Sequence, residues 1–246
     1  SDLHVGQLLD KLEALGILDD TLIMFSSDHG ENQGELGIFG DHQTADHITN
    51  RVPMIVRHPK GLGGAGRVDW ALHYQFDVAA TLVELLGGRV PEVWDGHSFY
   101  PAFEAGREQG REFLVLSNCA WACQRSVRWG HHLLVRTYHS GFHPFPDLML
   151  YDVTEDPHEL EDLAGTEPDL VHEGLALLEG WVADEMRRSQ RTVDPMWIVM
   201  REGGPFHARF TSPQFEAYKE RLRQTGRPHH AEELERRRAR LTTWPH

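Results

Sequence analysis

The stretch Thr21–Pro59, TLIMFSSDHGENQGELGIFGDHQTADHITNRVPMIVRHP, decides how this chain is read. It opens with the apolar run Leu22-Ile23-Met24-Phe25, set between Asp20 and Asp28. A run that short, with acids on both sides, predicts a strand buried on both faces in a parallel sheet rather than a helix. Asp28, His29, Gly30 and Glu31 follow it directly. In an open α/β sheet, ligands sit beyond the carboxyl ends of the strands, which is where this polar cluster falls. A second buried strand is expected at Met54-Ile55-Val56. The loop between the two strands carries His42, Asp46 and His47, with Asp41 and Arg51 beside them. Carboxylates and imidazoles gathered at one strand end suit metal binding and proton transfer.

Outward from this stretch, the N-terminal side reads as a helix. Val5, Leu8, Leu9, Leu12 and Leu15 recur at helical spacing and Gly16 closes the run. On the other side, Gly61–Gly66 reads as a turn, because no Gly-Lys-Ser/Thr follows to make a phosphate cradle. Asp77 is expected to cap a helix whose apolar face is Val78, Leu82, Leu85 and Leu86, ended by Gly87-Gly88. From Phe113 onward strands come in succession without crossover helices. They are Phe113–Leu116, Arg125–Trp129, His132–Tyr138 with a turn at Trp129-Gly130, and Leu148–Val153. That order predicts a small antiparallel sheet, with a long helix near 168–188 packed on it through Leu175, Leu178, Trp181 and Val182. The last segment, with His229-His230 and Arg236-Arg237-Arg238, reads as a solvated charged helix.

Composition limits the function classes. The 246 residues are 40% hydrophobic and 25% charged, and no apolar run approaches the roughly 18 residues of a membrane span. With 24 basic against 38 acidic residues the net charge is −14, which argues against a nucleic-acid partner. An anionic substrate is still allowed, because a bound cation can dominate the local field. Cys119 and Cys123 lie in a region that starts as a strand, where a bridge over four residues is not expected. His139 and His143 sit in YHSGFHPFPD, polar tips among aromatics that suit recognition of a sugar or aryl group.

The run S-D-H-G-E at Ser27–Glu31, the Gly-rich loop after it and R-V-P-M-I-V-R-H-P at Arg51–Pro59 resemble the sulfatase family of the alkaline phosphatase superfamily. Asp95-Gly96-His97-Ser98-Phe99, Leu150-Tyr151-Asp152 and Asp156-Pro157-His158-Glu159 extend the likeness, which runs from about Asp2 to Arg191. It implies an α/β fold: part of a mostly parallel sheet flanked by helices, then a small antiparallel sheet with a C-terminal helix. Three segments are expected, at 1–110, 111–191 and 192–246. By this resemblance Asp28 and His29 are ligands of a divalent cation, Ca2+ in most of the family, with Mn2+ or Zn2+ as alternatives because nitrogen is an uncommon calcium ligand. The family's catalytic Lys, counted back from Pro53, falls on His42, a departure that would make an imidazole the proton donor to the leaving group. Asp46 and His47 are expected in the same pocket, with His139 and His143 as further substrate contacts.

The family's nucleophile lies in C-x-P-x-R or S-x-P-x-R and becomes a formylglycine; neither signature occurs among these residues. The expectation is therefore the C-terminal half of a sulfatase, which needs its N-terminal half to act on a sulfated small molecule or carbohydrate. Two other readings stay open. One is a phosphoesterase or phosphonate hydrolase of the same superfamily, suggested by His29. The other is a non-catalytic metal-binding fragment.

Overall fold

The computed structural model describes residues 2–59, 66–120, 122–141, 143, 145–201 and 213–242. Apart from Gly66, the Gly61–Gly66 turn lies outside them, as do Phe142 and Pro144 of the aromatic loop and the side chains of Arg237 and Arg238. The chain divides into two compact units, Ser1–Asp28 with Val52–Leu114, and His29–Arg51 with Val115–His246.

The first unit begins with helix α1, Asp2–Ala14, ended by Gly16 at φ 70°, a left-handed value glycine adopts without strain. Strand β1, Ile23–Ser26, pairs with β4, Met54–Arg57. The apolar runs predicted buried strands in a parallel sheet, but these two pair antiparallel, Ile23 opposite Arg57 and Ser26 opposite Met54. Nor are they fully buried, since Phe25 is 39% and Ile55 62% exposed. An apolar run is written alike for either strand direction, so residue types alone do not fix it. Arg57 anchors the end of the pair, donating from Nη1 to Leu18 O at 2.6 Å and pairing through Nη2 with Asp19 at 2.8 Å. On one side Leu22, Met24 and Val56 meet Leu82 and Leu85 of helix α3, Asp77–Leu85, and Phe103 of helix α4, Tyr100–Glu104.

Asp77 does more than the expected cap. It lies inside the first turn of α3, where Oδ2 accepts from Tyr74 N and Oδ1 from His97 N, each at 2.8 Å. Arg111 adds a third partner at 2.6 Å to Oδ1. One buried carboxylate thus ties three chain segments, with its charge compensated.

The second unit contains two sheets. A short one pairs β2, Asn32–Gln33, with β3, Phe39–Asp41. The larger is four-stranded in the order β5-β6-β7-β8: Phe113–Asn118, Cys123–Trp129, His132–His139 and Leu148–Asp152. The β6–β7 and β7–β8 pairings are antiparallel, as the run of strands without crossovers predicts. The alternating face of β7 and β8 buries Leu133, Val135, Met149 and Tyr151, closed by Ile38 and Phe145. Helix α5, Pro168–Arg188, presents Val171, Gly174 and Leu178 to β6 and β7. Three helices follow: α6, Pro195–Arg201; α7, Pro213–Gln224; and α8, Pro228–Thr242. The last two make a hairpin around Phe215, Leu222, Ala231 and Leu234. The short helix α2, His47–Asn50, also belongs to this unit.

The glycines of α5 give a paired stability test. A Cβ at position 174 would stand 2.8 Å from Trp129 Cη2, 2.9 Å from Leu134 Cδ2 and 3.0 Å from Leu134 Cβ, whereas at 180 it would meet nothing within 4 Å. Helix propensity favours alanine at both by about 1 kcal/mol. At 174 overpacking against a rigid ring and a strand Cβ outweighs this, at about 1–3 kcal/mol. Denaturant unfolding should show Gly174→Ala destabilised and Gly180→Ala stabilised.

Candidate metal centre and its supporting loop

The polar cluster after β1 is built by the second unit from His29 onward. Gly30 sits hard against α2: its N–H donates to Thr49 O at 2.8 Å, and a Cβ there would lie 1.8 Å from Ile48 O. Only glycine fits, and its position fixes the side chains on either side. His29 Nδ1 is 2.8 Å from Gly30 O, so that nitrogen donates to the carbonyl.

Across from it, β3 ends at Asp41, whose Oδ1 accepts the His42 backbone N–H at 2.8 Å. The His42 ring stacks on His29 with centroids 3.5 Å apart and planes 15° from parallel. Its Nδ1 is 2.8 Å from Glu31 Oε2. The orientation is that of a carboxylate holding an imidazole, with Nδ1–H donated to Glu31. One donor atom from each of His29, Glu31 and His42 lies within 4.8 Å of the other two. Two imidazoles and a carboxylate are a donor set for a borderline divalent ion such as Zn2+ or Mn2+, and fit poorly with calcium, which takes oxygen. Asp28, named with His29 by the sequence, is the exposed last residue of the first unit's opening segment.

Below this trio lies a knot of buried polar side chains. Asp46 is fully buried and caps α2, its Oδ2 accepting from Thr49 N at 2.9 Å. Its Oδ1 accepts from Thr44 Oγ1 at 2.5 Å and from Asn32 Nδ2 at 3.5 Å. Both oxygens are thus engaged in holding the loop, where the sequence placed Asp46 against substrate. Gln124 of β6 reaches in from the large sheet, with Oε1 accepting the Ala45 N–H at 3.2 Å.

A second carboxylate closes the same helix end. Glu159, in a left-handed conformation at φ 54° and only 4% exposed, accepts the His47 N–H on Oε1 at 3.2 Å and on Oε2 at 3.1 Å. Burial first, then the charge of Asp46, push its carboxyl up to about 8. His47 is displaced the other way. Burial, then the charges of Arg51 and Arg128, lower its imidazole to about 4, and among the described residues its Nε2 has no hydrogen-bond partner. His47 is therefore a neutral, half-buried ring at neutral pH.

The two histidines of the aromatic loop part company. His143 stacks on Phe145 with centroids 5.2 Å apart and borders an open cavity of about 350 Å³ with Leu36, Met149, Tyr151 and Asp162. Burial lowers its pKa against the opposing charge of Asp41. His139 is buried on β7, and its Nδ1 accepts from Gly141 N at 3.0 Å. Glu31, Gln124 and Glu159 carry weight that sequence reasoning did not assign them. For Glu31 the available signal was its spacing of two from His29, and for Glu159 its place in Asp-Pro-His-Glu; Gln124 gave none.

Comparison with known proteins points to sulfatases. The family model described as Sulfatase matches residues 1–88. An N-acetylglucosamine-6-O-sulfatase of Bacteroides thetaiotaomicron is 31% identical over 171 residues, covering 67% of this chain and 30% of that protein. A structure solved in complex with its substrate D-glucosamine-2-N,6-O-disulfate superposes with a TM-score of 0.66 at 25% identity, over 77% of this chain and 39% of the other. A phosphonate monoester hydrolase of Agrobacterium radiobacter superposes with a TM-score of 0.60 at 27% identity, over 76% and 39%. The fold is the α/β architecture of these neighbours. The chain spans about a third of the first three curated relatives, between 30% and 34% of their length.

The opposed shifts at the α2 end give a pH signature. His47, lowered to about 4, contributes stability that is present above 6.5 and lost as pH falls through 4. Glu159, raised to about 8, contributes stability that is present below 4.5 and lost as pH rises through 8. Between 4.5 and 6.5 the two slopes oppose each other; above 6.5 that of Glu159 acts alone, at up to about 1.4 kcal/mol per pH unit. Urea unfolding across pH 4–9 should show the wild type losing stability relative to Glu159→Gln from pH 6.5 to 8. Parallel curves over that range would contradict a protonated Glu159.

Proposed function

We propose, on the premise that this chain belongs to the sulfatase family through residues 1–88, that it serves metal-dependent hydrolysis of sulfate esters. In this reading it supplies the metal-binding and leaving-group side of the site. The observation that carries the reading is the Glu31–His42–His29 cluster, set within the family-matched segment. His29 would hold the cation through Nε2, with Asp28 joining it by its place in the sequence motif. When bound, the cation neutralises charge on the ester oxygens and helps orient the ester. The nitrogen ligand His29 favours Mn2+ or Zn2+ over Ca2+.

His42 then takes the position the family gives to lysine. Glu31 holds it at Nδ1, so Nε2 presents a proton to the oxygen of the departing alcohol. The α2 cap, the Asp46 knot and Glu159 keep the backbone of this loop fixed while the proton moves. The nucleophile, a formylglycine in this reading, comes from a segment outside these 246 residues, which contain neither C-x-P-x-R nor S-x-P-x-R. The substrate is a sulfated carbohydrate or small molecule, in keeping with the two carbohydrate-directed relatives. A second reading, phosphonate or phosphate monoester hydrolysis, is favoured by the nitrogen ligand His29 and by the likeness to the Agrobacterium hydrolase.

The test uses the intact protein that contains these residues. Asp28→Ala and His29→Ala should each lower bound metal by elemental analysis with the fold retained. His42→Ala should keep its metal and lose turnover about 10²–10⁴-fold on alkyl esters, and far less on 4-nitrophenyl sulfate, whose leaving group needs no proton. Equal losses on both esters would remove the proton-donor role. Loss of metal in His42→Ala would make all three members of the cluster ligands. Residues 1–246 alone, given Mn2+, Zn2+ or Ca2+, should cleave neither aryl sulfate nor aryl phosphate. Metal-dependent turnover by that chain, abolished in Asp28→Ala, would overturn the external nucleophile.

A further inference from the structure

The cavity of about 350 Å³ beside β8 lies wholly within the second unit and shares no residue with the His29–Glu31–His42 cluster. Its volume is at the lower end for small-molecule sites and suits a single ring. Met149 and Tyr151 alternate with Leu150 along β8, so both face the same side of the strand. Phe145 packs into the same cluster, and His143 stacks on its ring with centroids 5.2 Å apart.

The wall at Leu36 is held in a costly backbone conformation. Its φ is 53°, a left-handed value that a residue with a Cβ seldom adopts. Glu35 fastens the loop beside it, with Oε2 accepting the Gln33 N–H at 2.7 Å and Oε1 pairing with His158 Nδ1 at 2.8 Å. The Gly37 N–H closes the turn on Gly34 O at 3.0 Å. Backbone strain of this kind gathers at ligand clamps.

Polar groups line the same space without being used up by the fold. Tyr151 is only 3% exposed, and among the described residues its hydroxyl takes no hydrogen bond. A buried tyrosine hydroxyl is ordinarily paired. Burial, then the charge of Asp162, push its pKa upward, so it stays protonated and able to donate. Asp162 stands at the rim. Its Oδ1 accepts from Leu150 N at 3.0 Å and Ala164 N at 2.9 Å, which leaves Oδ2 for a ligand. Burial lowers the pKa of His143, so its ring is neutral at neutral pH and can both give and take a hydrogen bond. No Lys or Arg stands among the described lining residues, and the Asp162 carboxylate repels an anion. Leu36, Phe145 and Met149 offer an apolar face, while the three polar groups exceed what an aryl or alkyl ligand could satisfy.

We propose that this cavity binds one uncharged pyranose ring, with its C–H face against Phe145 and its hydroxyls on Tyr151, Asp162 and His143. The site selects against sulfated and uronic acid rings, which sets it apart from the sulfate-binding site of the preceding section. It does not rest on that reading.

The experiment uses the intact protein containing these residues and titrates methyl β-D-glucopyranoside and methyl β-D-galactopyranoside by saturation-transfer NMR. Neither glycoside carries a sulfate, so hydrolysis plays no part and the sulfatase reading stands or falls separately. At least one should bind saturably, with a Kd on the order of 1 mM. In the unmodified protein, which needs no variant, the methyl glycoside of glucuronic acid should bind at least about tenfold more weakly. Tyr151→Phe keeps the ring in the core and should weaken neutral sugar binding about 3–10-fold. Asp162→Asn keeps an oxygen for the Leu150 and Ala164 N–H groups and should narrow the preference over the glucuronide. Both variants are checked for fold by circular dichroism. Saturable binding of phenol with none of either neutral glycoside would make this an aryl site and overturn the proposal. So would no binding at all, equal binding of the glucuronide, an unchanged Kd in folded Tyr151→Phe or an unchanged preference in folded Asp162→Asn.

Discussion

Two carboxylates meeting at one short helix end constrain the second unit more than any other contact. A helix of four residues cannot satisfy its own leading N–H groups. At α2 the task falls to Asp46 on the Thr49 N–H and Glu159 on the His47 N–H. The second comes from 112 residues further along the chain, so the helix end is also where the metal-centre loop is joined to the segment after β8. Two anions this close and this dry repel each other, and burial disfavours both charged forms. Asp46 stays on its cap, supported by Thr44 and Asn32, while burial and the Asp46 charge raise Glu159. The neutral ring of His47 beside them adds no countercharge at neutral pH.

This arrangement explains why the site above it is shaped by backbone. His29 and Glu31 flank Gly30, whose own close approach to Ile48 is possible only because α2 is held where it is. His42 follows Asp41 at the end of β3, and the β2–β3 pairing carries it back over His29. The side chains that could touch a ligand are therefore few and short-ranged. Those that position them are buried polar groups whose partners sit on other elements. Such networks rigidify as more of their members are satisfied; here Asn32 Nδ2 is paired, while its Oδ1 has no hydrogen-bond partner among the described residues. Removing Asn32 or Thr44 would leave the Asp46 oxygens short of donors, without touching the candidate donors His29, Glu31 and His42 directly.

Much of this could be read from residue types. The helical spacing of Val5 to Leu15, the strands of the antiparallel sheet and the whole of α5 follow local periodicity, and the structure shows them close to where the pattern put them. Local pattern failed where the decisive partner is remote in sequence. Nothing in Leu22–Phe25 says which way its neighbour runs, and β4 proved antiparallel. Asp46 read as a ligand-facing acid because its cap partner depends on a four-residue helix too short to leave a period. In the charged tail, Phe215, Leu222, Ala231 and Leu234 are spaced widely enough to be masked by the arginines and glutamates around them, yet they close a core between α7 and α8.

The start of β6 shows how tightly these functions share the chain. Three consecutive residues there face three different demands. Cys123 is fully buried, Gln124 holds the Ala45 amide, and Arg125 grips Asp194. Alternation along β6 puts Cys123 and Arg125 on one face and Gln124 on the other. The register with β7 shifts between Cys123 and Gln124, where β7 carries one extra residue, Tyr138. Gln124 is fully buried and divides its amide, accepting from Ala45 and donating to Thr137 Oγ1 at 3.1 Å. Its position is thus fixed by the sheet on one side and by the metal-centre loop on the other.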